Sequence, residues 1–198
     1  NAFKEAAKIG SIEMLKLLRE YEIKINDREK NWKTSTQNTN ICQIAASCGH
    51  LRVLKWLIQH DYSYKKCDIC EWATMSGNLP MLKWLKSMEC PLTKKCVKIA
   101  AENGYLEILK WIGTQPIGKE ILRTVSIFLK STKYGHTDIM EWAYEKDLLW
   151  NPNVCSIAAR FGSLELLKWL RDRKCPWNKG SYICASVANK HMACDWIM

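Results

Sequence analysis

The sequence contains no apolar run that approaches the roughly 18 residues needed to cross a bilayer. It has no Asn-x-Ser/Thr acceptor, and its first ten residues lack the basic and apolar segments of a signal peptide. Proline and glycine are few, at five and nine of 198 residues, while hydrophobic residues reach 47%. This composition excludes collagen and leaves little room for disorder. We therefore expect a soluble, unsecreted protein without a membrane partner.

Sequence motifs of catalysis are missing as well. There is no phosphate-binding glycine loop, no HExxH motif and no nucleophile elbow. The one Cys-x-x-Cys motif, Cys67 to Cys70, has no second pair to supply the four ligands of a zinc site. We expect no enzymatic activity, no metal and no cofactor, with redox or metal chemistry at Cys67 and Cys70 as the lesser alternative.

Cysteine, by contrast, is abundant, with ten residues. Disulfide frameworks are typical of short, secreted domains with little core, whereas this chain is long and rich in Leu and Ile. The cysteines and the missing glycosylation acceptors therefore favour a reducing compartment such as the cytoplasm.

One pattern is repeated along almost the whole chain. Segments 45–57 and 158–170 share the same order of small, glycine, leucine, lysine and tryptophan residues. Five further copies align on a glycine or, in the last copy, on an asparagine. The seven anchors are Gly10, Gly49, Gly77, Gly104, Gly135, Gly162 and Asn189. Their basic spacing is 27 or 28 residues, with a long insertion after the first copy and a short one after the fourth.

Fixed positions around each anchor predict two helices per copy. Small residues stand three and four positions before every anchor, which lets two helices approach closely. The residue seven positions before the anchor is an apolar or cysteine core residue: Phe3, Cys42, Cys70, Val97, Phe128, Cys155 and Tyr182. In five copies Leu or Ile recurs two, five and eight positions after the anchor, as on the apolar face of a helix, and tryptophan occupies position seven in six copies. We predict an all-α solenoid of about seven helix–turn–helix units over residues 1–198, because one unit alone cannot bury its apolar face.

These motifs resemble ankyrin repeats. The Leu-Lys-Trp-Leu core and the linker Cys175 to Asn178, Cys-Pro-Trp-Asn, are similar to short-period ankyrin arrays in large DNA viruses of protists. The resemblance covers about residues 2–197, but the period is shorter than the usual 33 residues and the Thr-Pro-Leu-His motif is absent. It implies shortened finger loops and a non-enzymatic protein-binding module with a concave binding face. It also suggests a viral adaptor that recruits host proteins in the host cytoplasm, nucleus or virion.

The resemblance places the partner-binding residues at the end of each first helix and in the finger loops. The two residues before each anchor vary freely between copies, as expected of a surface that reads a non-repeating partner, although an unconstrained surface would vary as well. The candidates at helix ends are Ser47, Met75, Glu102, Asn103, Lys133, Tyr134, Arg160 and Phe161. The candidates in fingers are Tyr64, Lys65, Trp150 and Trp177, with packing onto the next copy as the alternative for the two tryptophans.

The remaining features concern charge, the long insertion and the chain end. The net charge of +10 keeps an alternative function open, that of a basic structural or nucleic-acid-associated component of a virion or other large assembly. Lysine recurs six positions after the anchor, so much of this charge is predicted to lie on a solvated face of the second helices.

Residues 26–40 are polar and predict a long loop. The last copy lacks a polar cap, so we expect a fragment whose C-terminal end is covered by another domain or chain.

Overall fold

Residues 2–25, 39–62, 64–124, 127–148, 153–161, 164–175 and 179–187 are described by the computed structural model. All regular secondary structure in these ranges is α-helical, as predicted. The chain divides into two compact units, Asn1–Thr93 and Lys94–Met198. The boundary falls between the third and fourth copies of the repeat. Fingers without strands connect the copies in the described segments, as the short period predicts.

The first unit contains three helix pairs, one for each of the first three copies. Its helices are α1 (Ala2–Ile9), α2 (Ile12–Ile25), α3 (Thr39–Ser47), α4 (Leu51–Gln59), α5 (Lys66–Met75) and α6 (Leu79–Ser87). Within each pair the two helices pack against each other, and the first helices α1, α3 and α5 also pack in that order.

The second unit repeats this arrangement with one additional helix. Its helices are α7 (Lys94–Glu102), α8 (Leu106–Thr114), α9 (Gly118–Thr124), α10 (Ile127–Tyr134), α11 (Thr137–Glu145), α12 (Val154–Phe161), α13 (Leu164–Asp172) and α14 (Lys179–Val187). The first helices α7, α10, α12 and α14 pack against one another in that order. The ends of α7, α10 and α12 therefore lie in one row.

The predicted core columns are buried. The six described residues that stand seven positions before an anchor have at most 8% of their surface exposed; the side chain of Tyr182 lies outside the described residues. The small pairs before the first six anchors are almost completely buried, for example Ala45 and Ala46 at 0%. Small side chains at these positions allow close packing between first helices. In the tryptophan column, Trp56 and Trp142 are buried and the other described tryptophans are half-buried, whereas Leu17 at the same position of the first copy is exposed.

Each described anchor glycine ends its helix in a left-handed turn. The φ angles of Gly10, Gly49, Gly77, Gly104 and Gly135 lie between 69° and 84°. At four of these five anchors the following residue donates its N–H to a carbonyl five residues earlier, as His50 does to Ala45 and His136 to Ser131. This is the Schellman arrangement, in which glycine avoids the steric cost of its backbone conformation. Gly162 and Asn189 lie outside the described residues.

A second left-handed turn recurs twelve positions after the anchor, where the sequence gives no glycine. Asp61, Glu89, Asp147 and Lys174 have φ angles between 56° and 62° and end the second helices of four copies. The next residue again donates to the carbonyl five residues earlier, for example Cys90 to Leu85 at 3.1 Å. The sequence does not predict this turn, because residues other than glycine rarely adopt a positive φ.

The fourth copy departs from this pattern because its residue at the same position is Pro116. Proline cannot adopt a positive φ, and Gln115 before it is extended, with φ −79° and ψ 151°. The chain then forms α9, which packs against α8 and α7. A Cβ atom at Gly118 would overlap the carbonyl of Ile112, so glycine permits this close contact. The short insertion after the fourth copy is therefore a helix with its own buried residues, Ile121 and Leu122.

The long insertion begins and ends close to the predicted positions. Helix α2 continues to Ile25, whereas α4 and α6 have nine residues each. Thr39 and Asn40 belong to α3, so the prediction of a loop over 26–40 was wrong for these two residues. Residues 26–38 lie outside the described part of the chain.

Candidate functional site

The ends of the first helices expose large hydrophobic side chains. Five large hydrophobic residues at the last two positions of these helices leave 48% to 70% of their surface exposed, and Ile183 within α14 is exposed as well. The exposed residues at these ends are Ile9, Met75, Tyr134, Phe161 and Val187. Apolar groups that remain exposed at one recurring position mark a binding surface better than scattered ones do.

In the first unit the predicted candidates differ in solvent exposure and in the hydrogen bonds that they make. Met75 is 48% exposed, whereas Ser47 is half-buried and its hydroxyl donates to the carbonyl of Ile44 at 3.0 Å. Lys65 is exposed at the start of α5. Tyr64 is half-buried, and burial together with the neighbouring thiols, of which Cys90 is hydrogen-bonded to it, raises its pKa. Its hydroxyl is therefore engaged within the unit.

In the second unit the two candidates at the end of α7 already make contacts within the unit. The carboxylate of Glu102 accepts an ion pair from Lys130 of α10 at 2.8 Å. The side-chain amide of Asn103 donates to the carbonyl of Ile99 at 2.8 Å, while the residue itself is exposed. Lys130 thus neutralises Glu102, the one carboxylate in α7 and α10.

Four predicted residues come together at the ends of α10 and α12, and we call them the cation–aromatic patch: Lys133, Tyr134, Arg160 and Phe161. The Lys133 ammonium lies 5.3 Å from the Tyr134 ring centre and 5.9 Å from that of Phe161. The Arg160 guanidinium carbon lies 5.2 Å from the Phe161 ring centre. Both aromatic rings are 49% exposed. These distances are those of cation–π contacts, and the Lys133–Phe161 contact joins two copies.

Two histidine side chains connect neighbouring helix ends through hydrogen bonds to main-chain carbonyls. His136, the residue after Gly135, donates from Nε2 to the carbonyl of Glu102 at 2.9 Å. His50 makes the same contact to the carbonyl of Lys8 in the first unit, also at 2.9 Å. Each of these hydrogen bonds connects one copy to the helix end of the copy before it.

Charge is unevenly distributed between the helices of the second unit. The first helices α7, α10 and α12 carry six cationic residues against Glu102 alone: Lys94, Lys95, Lys98, Lys130, Lys133 and Arg160. The second helices α8, α11 and α13 carry three cationic residues against six carboxylates: Glu107, Asp138, Glu141, Glu145, Glu165 and Asp172. The predicted lysines on second helices are therefore outnumbered here, and the excess positive charge lies on the helices that bear the patch.

A cavity of about 650 Å³ beside α9 is a second region of interest. Its lining includes Trp142, four cationic residues and one carboxylate: Lys110, Lys119, Arg123, Lys146 and Glu145. All four cationic side chains are solvent-exposed, and Lys110 is paired with Glu107 at 2.8 Å. A ligand pocket normally provides fixed, partly buried polar groups, so this cavity is a weaker candidate than the patch.

Two pairs of buried cysteines occupy equivalent positions in the third and sixth copies. The Sγ atoms of Cys155 and Cys175 are 3.0 Å apart; their hydrogen bond raises the pKa of Cys155 and lowers that of Cys175. A hydrogen bond from Cys70 lowers the pKa of Cys90 to about 7. Cys70 thus contacts Cys90 and belongs to the core; the side chain of Cys67 is outside the described set. Among the described residues no group of three or more His, Cys, Asp or Glu side chains could hold a metal ion.

Two predicted finger residues, Trp150 and Trp177, lie outside the described residues. None of the described helices is both long and apolar enough to cross a membrane.

Comparison with known proteins agrees with this geometry. A family model of ankyrin repeats, in three copies, matches residues 3–96. The solved structure of the human ASB11 ankyrin repeat domain is similar, with a TM-score of 0.63 and 18% sequence identity. The alignment covers 87% of this chain and 83% of that one. This is an ankyrin-repeat fold. A search of curated protein sequences finds no match.

Ankyrin repeats are generally protein–protein interaction modules, and the fold is typically non-enzymatic. The comparison extends to most of the chain by structure, while the family model covers the first three copies and the start of the fourth.

Proposed function

We propose that this ankyrin-repeat protein is a non-enzymatic module that binds a protein partner at the first-helix ends of its second unit. The cation–aromatic patch carries this proposal. Arginine and aromatic side chains dominate binding energy at protein interfaces. Here two half-exposed rings and two cationic groups lie on adjacent helix ends, at positions that vary between copies and are not needed for the core.

The resemblance to viral arrays adds a more specific proposal. The seven copies would form one array over residues 1–198 that acts as an adaptor, recruiting host proteins in the host cytoplasm or nucleus. Trp150 and Trp177 would extend its binding surface through the fingers. The support for this step is the similarity of the Leu-Lys-Trp-Leu and Cys-Pro-Trp motifs to those arrays.

Affinity capture with matched variants tests the binding role. The immobilised protein, the variant Lys133→Glu/Arg160→Glu and the control Arg52→Glu/Lys83→Glu are exposed to a cell lysate, and retained proteins are identified by mass spectrometry. Arg52 and Lys83 are exposed on the second helices α4 and α6. Both variants change net charge equally and replace one Lys and one Arg.

We expect proteins that the natural chain and the control retain but the patch variant loses at least tenfold. Equal retention by both variants would mean that binding does not use the patch. Circular dichroism and urea unfolding show whether each variant remains folded.

A further inference from the structure

We propose that the cation–aromatic patch recognises a short acidic segment of a protein, in which two carboxylates about three residues apart flank an apolar side chain. This inference rests on the proposed protein-binding function and specifies the chemistry of the partner. It is argued from the charge of the first helices, the exposure of the rings and the spacing of the helix ends.

The charge of the first helices selects an acidic partner. Lys133 and Arg160 lie in the last turns of α10 and α12. Helix α7, which packs against α10, carries three lysines and one carboxylate, and that carboxylate, of Glu102, is paired with Lys130 at 2.8 Å. An approaching carboxylate therefore meets a surface with an excess of positive charge, and complementary charge both accelerates association and rejects basic segments.

The exposed rings of the patch favour a peptide segment that also contains an apolar side chain. Tyr134 and Phe161 each leave about half of their surface exposed beside the two cationic groups. The guanidinium carbon of Arg160 lies 5.2 Å from the ring centre of Phe161. A guanidinium in such a cation–π contact can still donate N–H groups to a carboxylate in a bidentate pair. An apolar side chain that covers the rings would exclude water from these bonds.

The spacing of the helix ends sets the spacing of the segment. Packed helices have axes about 8 to 10 Å apart, and α10 packs directly against α12. The Lys133 ammonium and the Arg160 guanidinium carbon lie 5.9 Å and 5.2 Å from the centre of the same Phe161 ring, so they are at most about 11 Å apart. A peptide in the polyproline II conformation has three residues per turn and rises about 3.1 Å per residue. Carboxylates at positions i and i+3 then lie on one side of the peptide, about 9 Å apart, with the apolar residue between them in the sequence.

A peptide fits this surface better than a nucleic acid does. The second helices α8, α11 and α13 carry six carboxylates against three cationic residues. A phosphate backbone that continued from the patch over these helices would meet negative charge. A short peptide ends within the patch and avoids it.

Fluorescence anisotropy with a defined probe tests the proposal. The probe is the fluorescein-labelled peptide Gly-Ser-Glu-Leu-Ala-Glu-Gly-Ser; one control peptide has Gln in place of both Glu residues and a second has Ala in place of Leu. Each is titrated with the natural chain, with Lys133→Ala/Arg160→Ala, with Phe161→Ala and with the control Arg52→Ala/Lys83→Ala. A labelled single-stranded RNA is titrated in parallel.

We expect the acidic peptide to bind the natural chain and the control variant equally, and at least tenfold more weakly to Lys133→Ala/Arg160→Ala. The Gln peptide should lose at least tenfold in affinity, and the Ala peptide and Phe161→Ala should each lose several-fold. Because Lys133 and Arg160 are exposed, their variant keeps the test valid if Phe161→Ala unfolds.

Equal affinity for the acidic and Gln peptides, or no binding of either, would overturn the acidic-segment proposal. RNA binding that the patch variant abolishes, without peptide binding, would also overturn it. If lysate proteins still depend on Lys133 and Arg160 in either case, the protein-binding function stands and only the chemistry assigned to its partner is wrong.

Discussion

Single residues explain why the anchor glycines are not equivalent. All the described anchors need a left-handed backbone, but Gly104 has a second constraint. A Cβ atom there would lie 2.8 Å from the imidazole of His136, whereas a Cβ at Gly135 would meet no described atom within 4 Å. The repeat pattern predicts the glycine at both positions. It could not predict the closer contact, because the sequence does not show that His136 reaches back to Glu102.

We predict that Gly104→Ala lowers the free energy of unfolding more than Gly135→Ala does. Both pay roughly 1 to 2 kcal/mol for the left-handed backbone. Gly104→Ala also displaces His136 and loses its hydrogen bond, which adds about 1 kcal/mol. Urea unfolding followed by circular dichroism measures both. In a His136→Ala background the additional cost should disappear. Equal effects of the two substitutions in the natural background would contradict a stabilising role for the hydrogen bond from His136 to the Glu102 carbonyl.

Cysteine labelling should show whether solvent exposure or thiol pKa controls the reactivity of each cysteine. Cys48 is exposed, whereas Cys42, Cys70, Cys90, Cys96, Cys155 and Cys175 are buried. Burial raises the pKa of Cys42 to about 12, while a hydrogen bond from Cys70 lowers the pKa of Cys90 to about 7.

We predict that N-ethylmaleimide at pH 7.5 modifies Cys48 in the native protein long before the six buried cysteines, including Cys90. Access rather than thiolate content limits Cys90, because it is completely buried. Peptide mapping by mass spectrometry identifies the modified sites, and labelling in 8 M urea is the control. Native labelling of Cys90 as fast as that of Cys48 would show that the core opens readily.

At the scale of the elements, the ends of the second helices contain strained residues. Glu89 adopts a φ of 61° at the end of α6, a conformation that costs a non-glycine residue free energy. The helices themselves were predictable, because leucine and tryptophan recur with helical spacing. Their ends were not, since the left-handed residue there is charged and is Asp, Glu or Lys in different copies.

Glu89→Gly should therefore stabilise the protein by roughly 0.5 to 1 kcal/mol, because relief of the backbone strain exceeds the added entropy of the unfolded chain. The matched control is Lys86→Gly, three residues earlier within α6, which should destabilise by about 1 kcal/mol. Urea midpoints of the two variants measure the contrast. A lower midpoint for Glu89→Gly would show that its side chain makes a compensating contact.

Helix α9 shows how one residue can change an element. The sequence identifies a short insertion after the fourth copy but gives it no structure. In the structure Pro116 takes the place of the left-handed residue, and the chain continues into a helix that starts at the buried Gly118. The signal was present in the alignment of copies, as a proline at a position where other copies have charged residues.

At the scale of the whole molecule, the net charge of +10 is a poor guide to function. The first helices of the first unit are balanced, with Lys4, Lys8 and Lys66 against Glu5, Asp68 and Glu71. In the second unit the first helices are strongly basic and the second helices acidic. The helix-end residues could be predicted from the repeat, whereas the clustering of four of them required the packing of α10 against α12.

We predict weak duplex DNA binding with a shallow salt dependence. If only Lys133 and Arg160 contact phosphates, the slope of log affinity against log salt concentration should be about −2. If the whole net charge took part, it would be near −9. Anisotropy of a labelled 20-base-pair duplex between 50 and 200 mM NaCl measures the slope. A steep slope would support the nucleic-acid-associated role instead.

The tether from His136 to the Glu102 carbonyl has a consequence for how such a surface could change over evolution. The hydrogen bond reaches the main chain, so it is indifferent to the side chain at position 102 and its neighbours. The distance between adjacent helix ends is thus maintained by groups that take no part in recognition. Substitutions at the exposed positions can then accumulate without loss of this hydrogen bond, and a new binding preference requires only a few point mutations on an unchanged backbone.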